Sequence, residues 1–229
     1  EVELSGRGSL SAVLHLLEQI PALEADETEL RGMGMGEAAI AGTLSFPIAR
    51  KPEANEYVYD ITGTVAEVSS DTLVPGQEVT ADLIDVSASN EGIHVHGNAQ
   101  IGGVDLDAIW TAMPSDGDSI ASTLTGEIEL SQEFVSQFGL GLPDGTVTGQ
   151  GVGTLFVDLP KGEAPRFELI SNLDGMGLNL NFVGWRKKPS TKGDLRASGR
   201  LGQPMVIDLL EINAAGFEAK GQVLMTEDG

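Results

Sequence analysis

Gly92-Ile93-His94-Val95-His96-Gly97 decides the fold: apolar and polar residues alternate between two glycines. A period of two sends successive side chains to opposite faces of a strand, so the run has one apolar and one wet side. The pattern returns at Thr125-Gly126-Glu127-Ile128-Glu129-Leu130, at Gly177-Leu178-Asn179-Leu180-Asn181-Phe182 and at Gly193-Asp194-Leu195-Arg196-Ala197-Ser198-Gly199. Working outward from these runs, strands are predicted over residues 38–46, 57–68, 79–88, 92–101, 104–111, 119–130, 146–159, 166–173, 178–185, 193–201, 205–214 and 217–225. The connections Ser89-Asn90-Glu91-Gly92, Gly102-Gly103 and Ala214-Ala215-Gly216 are short enough for hairpins, so neighbouring strands are expected to be antiparallel.

Two segments have helical spacing. Residues 10–20 place Leu10, Val13, Leu14 and Leu17 on one stripe, with Ser9 as cap and Pro21 as stop. Residues 131–138 place Phe134, Val135 and Phe138 together, with Ser131 as cap and Gly139 at the C′ position. Each stripe fits one end of a sheet. The expectation is a mainly β, strongly curved, mostly antiparallel sheet forming an elongated groove with two short helices. It is read as one segment, residues 1–229, with sheet portions over 1–130 and 131–229, cut from a longer protein.

Composition narrows the function. With 13 basic and 35 acidic residues the net charge is −22, which repels phosphate backbones and anionic lipid surfaces and argues against nucleic acid. No apolar run approaches the roughly 20 residues that span a bilayer. There is no cysteine, so disulfides and thiolate metal sites are excluded. His94 and His96 share a strand face, but the third histidine, His15, belongs to the first helix, so no closed metal site is expected. The pairs Asp105/Asp107 and Glu127/Glu129 have the strand spacing of a solvated edge, and no Gly-x-Ser-x-Gly elbow or phosphate loop occurs. No catalytic residue, metal or cofactor is therefore expected.

The order of features resembles the AsmA-like proteins of Gram-negative bacteria, in particular their YhdP-type branch. The resemblance rests on Leu10-Ser11-Ala12-Val13-Leu14-His15-Leu16-Leu17, the Gly42-Thr43-Leu44-Ser45-Phe46-Pro47-Ile48 strand and Leu73-Val74-Pro75-Gly76. It continues with residues 92–103 and Trp110, the Gly184-Trp185-Arg186-Lys187 turn, and the closing Ile207, Leu209, Ile212, Gly216, Phe217, Ala219 and Gly221. It implies a periplasmic segment of an inner-membrane-anchored, bridge-like lipid-transfer protein serving outer-membrane biogenesis. Phospholipids would move between the membranes along an apolar β-groove, without a covalent step. Partners would be phospholipid acyl chains and neighbouring segments of the same chain, with membrane contact through parts outside this segment.

The physics of such a carrier is simple. Burying two sixteen-carbon chains at about 0.8 kcal/mol per methylene is worth on the order of 25 kcal/mol, so a carrier must offer continuous apolar cover. Ile93, Val95, Leu106, Ile128, Leu130, Leu155, Val157, Leu169, Leu178, Leu180, Phe182 and Leu195 are the residues expected to line it. The basic cluster Trp185, Arg186, Lys187 and Lys188 is the candidate for headgroup or membrane contact. A closed β-sandwich or solenoid module of an envelope scaffold or adhesin fits the same alternation. A glycan-active enzyme with paired carboxylates is the third alternative.

Overall fold

The structure, a computed structural model, describes residues 1–17, 34–47, 56–74, 76–114, 120–160, 162–202 and 205–224. Twelve strands form one open antiparallel sheet in the order β1-β2-β3-β4-β5-β6-β7-β9-β10-β13-β14-β15, and β12-β11-β8 form a separate three-stranded sheet. The chain divides into two compact units, Glu1–Gly102 with Ile109–Ala121, and Gly103–Ala108 with Ser122–Gly229. The division expected at residue 130 therefore falls inside the second unit.

The first unit contains β1 (Val2–Ser9), α1 (Leu10–Leu17), β2 (Met35–Ser45), β3 (Val58–Val74), β4 (Gln77–Ser89) and β5 (Gly92–Ile101), with the later part of β6 (Val104–Pro114). The hairpin signals act as expected. Gly102 and Gly103 both take positive φ (56° and 87°), which a two-residue turn between twisted strands requires. The Asn90 side chain ties the β4–β5 turn to the start of β3, accepting from the Tyr59 N–H (3.0 Å) and donating to the Tyr57 carbonyl (2.8 Å). Ser9 caps α1 by accepting from the Ala12 N–H at 3.4 Å. Residues 18–20 of the expected first helix lie outside the described residues.

Register aligns the apolar side of this unit into cross-strand rows. Gly6, Ile40, Gly63, Val86 and Val95 form one, and Gly8, Ala38, Val65, Ile84 and Gly97 the next. Val13 of α1 joins Ala38, Val65, Val68 and Ala81 in a buried cluster, so the helix stripe covers one part of the apolar face. β1 was not among the expected strands. Its inward positions, Val2, Leu4, Gly6 and Gly8, hold too little aliphatic surface to announce a strand.

The second unit holds the earlier part of β6, then β7 (Ile120–Leu130), whose described residues from Ser122 belong here, and α2 (Gln132–Gln137). It continues through β8 (Val147–Gly149), β9 (Gly151–Leu159), β10 (Arg166–Ser171), β11 (Met176–Leu180) and β12 (Trp185–Lys187). β13 (Gly193–Arg200), β14 (Val206–Ala214) and β15 (Phe217–Leu224) complete it. Ser131 caps α2 by accepting from the Phe134 N–H at 3.3 Å, and Gly139 follows at φ 59°. Two expected strands break. Residues 146–159 divide at Gly149 (φ 72°), which sends β8 into the small sheet, and 178–185 divide at a 3-10 turn, Asn181–Val183, closed by Gly184 at φ 69°.

Glycines in both units stand opposite bulky neighbours on the apolar side, among them Gly126 opposite Leu155, Gly153 opposite Ile128 and Gly151 opposite Leu130. A Cβ on Gly42 would lie 2.2 Å from the Asp60 carbonyl oxygen; on Gly126, 2.4 Å from that of Asp107 and 2.6 Å from Ala108 Cβ. Adjacent backbone thus leans over the apolar side at these points, which only a missing side chain permits. Gly42→Ala and Gly126→Ala are expected to lower stability by about 2–3 kcal/mol, against less than about 0.5 kcal/mol for Gly8→Ala. No atom approaches a Cβ on Gly8 within 4 Å. Denaturant midpoints of the three variants check the ranking.

Candidate functional site

In the second unit the strand register assembles an apolar face. Leu155 lies between Gly126 and Leu169, and Leu169 between Leu155 and Ala197. Val157 lies between Leu124 and Phe167, while Leu195 is opposite Ser171 and Ile212. Ile128, Leu130, Val157 and Leu169 are buried; Leu155 and Leu195 are half-buried, as are Leu124, Phe167, Leu210 and Ile212. Leu106 is buried in β6, and Ala108, two residues on, is the neighbour a Gly126 Cβ would strike, which puts Leu106 on the same side. Seven of the expected lining residues of this unit thus share one face: Leu106, Ile128, Leu130, Leu155, Val157, Leu169 and Leu195. The opposite face is wet. Arg196 pairs with Glu168 at 2.6 Å, Arg200 with Asp208 at 3.4 Å, and Lys220 with Glu211.

The other three expected lining residues of this unit lie elsewhere. Leu178 is buried in the small sheet opposite Val147 and Lys187, and Leu180 is half-buried opposite Trp185. Phe182 sits in the 3-10 turn with 81% of its surface exposed. Alternation placed Leu178, Leu180 and Phe182 together, but the chain leaves the extended conformation at Asn181. The small sheet and the turn leading into it cover one end of the apolar face: a Cβ on Gly151 would meet Met176 Cγ at 2.5 Å, and one on Gly193 would meet Leu173 Cδ1 at 3.4 Å. That end is sealed by the protein itself.

Ile93 and Val95 belong to the first unit. Both are half-buried on the apolar side of β5, opposite Ala88 and Val86. The polar side of β1–β5 carries two shallow depressions. One of about 550 Å³ is lined by residues including Ser5, Arg7, Ala39, Thr62 and Thr64. Another of about 260 Å³ is lined by Asp85, Ser87, His94 and His96, among others. Small side chains, Ser5, Ala39 and Ala41, line the first of them.

Lys187 does not belong to a surface cluster. Its side chain is buried, and the ammonium donates to the carbonyl oxygens of Leu173 (2.5 Å), Met176 (2.7 Å) and Lys188 (3.3 Å). All three donors are used to hold the turn that contains Leu173, itself buried at φ 54°. Burial lowers the lysine from its usual range, and the Asp174 carboxylate acts against that shift. Trp185 anchors the same hairpin: its ring stacks on Phe217 at 4.5 Å and its Nε1 donates to the Ala215 carbonyl at 3.0 Å. Arg186 and Lys188 are exposed.

Among the described residues no group of three or more His, Asp or Glu is placed to hold a metal. His94 Nδ1 lies 3.2 Å from Thr111 Oγ1. Neither Asp105/Asp107 nor Glu127/Glu129 lines either depression, and Glu129 accepts from Gln150 Nε2 at 3.1 Å. No helix among the described residues is long and apolar enough to cross a membrane. No protein family, curated protein or solved structure matches the chain.

The role of Lys187 is directly measurable. Lys187→Met removes the ammonium's hydrogen bonds to Leu173, Met176 and Lys188 and is expected to cost about 3 kcal/mol of stability. In the parent protein, amine-labelling reagents should modify Lys188 and Lys192 well before Lys187. Equal labelling of all three, read by peptide mass spectrometry, contradicts the buried position.

Proposed function

We propose that this chain is a non-enzymatic lipid carrier that shelters phospholipid acyl chains on the apolar faces of its sheet. It would do so as a periplasmic segment of an AsmA-like, YhdP-type protein anchored in the inner membrane. The carrying observation is the apolar face of the second unit, where aliphatic residues and glycines from β7, β9, β10, β13, β14 and β15 align in register and several stay half-open. Such a face provides the continuous, non-directional cover that hydrocarbon needs, and Leu155 and Phe167 are among its half-buried residues. Conduction between inner and outer membranes, and neighbouring segments that extend the surface, follow from the family resemblance.

The closed structural module is the second reading, favoured by the burial of Ile128, Leu130 and Leu173 under the chain's own residues. Native mass spectrometry of the purified protein separates the two. Phospholipid adducts are expected on the parent protein and on Phe156→Asn, which changes an exposed residue of the wet face. They should be reduced at least about fivefold on Leu155→Asn, since a buried amide repels hydrocarbon. Protein free of lipid in every form, with native circular dichroism, supports the closed module instead.

A further inference from the structure

We infer that the hairpin tip Phe182-Val183 is an insertion point for an anionic lipid surface, with Arg186 and Lys188 as its headgroup contacts. The turn presents two apolar side chains to water, Phe182 at 81% and Val183 at 54% exposure. Single exposed apolar residues are ordinary, but this pair is adjacent, at a turn tip, and held on a rigid base. Gly184 closes the turn, Trp185 is stacked on Phe217, and Arg186 donates to the side-chain oxygens of Asn179 (2.9 Å) and Asn181 (3.3 Å). The tip is thus presented in one conformation and loses little entropy on binding.

Charge identifies the partner. The chain carries −22 overall, yet no Asp or Glu occurs between Asp174 and Asp194, while Arg186, Lys187, Lys188 and Lys192 all do. Lys187 is turned inward and Lys192 lies 3.8 Å from Asp174; Arg186 stays beside the tip through Asn181, and the exposed Lys188 follows at the far end of β12. An aromatic wedge with exposed cations behind it on the same hairpin matches the interface of a bilayer with anionic headgroups, where the ring sits at headgroup depth and the cations remain in water. The site is separate from the half-open apolar faces, so it acts in docking whether or not those faces hold acyl chains.

Vesicle co-sedimentation of the 229-residue chain tests it. Binding to phosphatidylcholine vesicles containing about a quarter phosphatidylglycerol is expected to exceed binding to pure phosphatidylcholine about tenfold, and to weaken with salt. Phe182→Ser with Val183→Ser, two exposed positions whose change leaves the core intact, should remove about nine-tenths of that binding, and Lys188→Glu should weaken it severalfold. No binding by the parent chain, equal binding to neutral vesicles, or undiminished binding by the double variant each overturns the proposal.

Discussion

The close approach of neighbouring backbone to the apolar side of the sheet, at positions where only glycine fits, governs this structure. Gly42 under the Asp60 carbonyl, Gly63 against Ala39 and Ile40, and Gly126 against Asp107 and Ala108 are the same event in three places. A strand leaning over one face brings the aliphatic side chains there closer together and removes them from water without a second layer above every one of them. It also explains why Leu169 and Val157 are buried while Leu155, between the glycine of β7 and Leu169, stays partly open. Backbone and large side chains fill the space that the glycines vacate, such as Leu169 at Gly153 and Asp107 at Gly126.

The ends of these faces are treated differently from their middles. In the first unit α1 places Val13 against Ala38, Val65 and Val68. In the second, Met176 reaches Gly151, and the turn behind it is held by the buried Lys187 ammonium. A buried cation is costly unless fully hydrogen-bonded, and here its three protons meet the carbonyl oxygens of Leu173, Met176 and Lys188. The outer faces are left to water, with cross-strand ion pairs such as Arg196–Glu168 that each contribute at most about 1 kcal/mol. They mark which side is wet more than they stabilise it.

Local chemistry made much of this legible in the sequence. β5 coincides with the expected 92–101, because strict alternation, a two-residue loop before it and Gly102-Gly103 after it all agree. Both helices were announced by their caps, Ser9 and Ser131. What stayed hidden depends on events that alternation does not record. Asn179, Leu180, Asn181 and Phe182 continue a strand pattern, yet the backbone turns at Asn181, so Phe182 ends on a tip and not on the apolar face. Gly149 and Gly151 flank Gln150 in an unbroken-looking run, and only the positive φ of Gly149 separates β8 from β9. Lys187 looked like one cation among three, and its burial comes from the fold around Leu173 and Met176, which no local signal encodes.

The central claim is that one side of the sheet faces hydrocarbon and the other faces water, and a photo-crosslinking scan along β9 tests it most directly. With benzoylphenylalanine placed in turn at Leu155, Phe156, Val157 and Asp158, phospholipid adducts should follow a period of two. They are expected at Leu155 and Val157 and not at Phe156 or Asp158. Adducts at none of the four, or equally at all of them, would contradict the account.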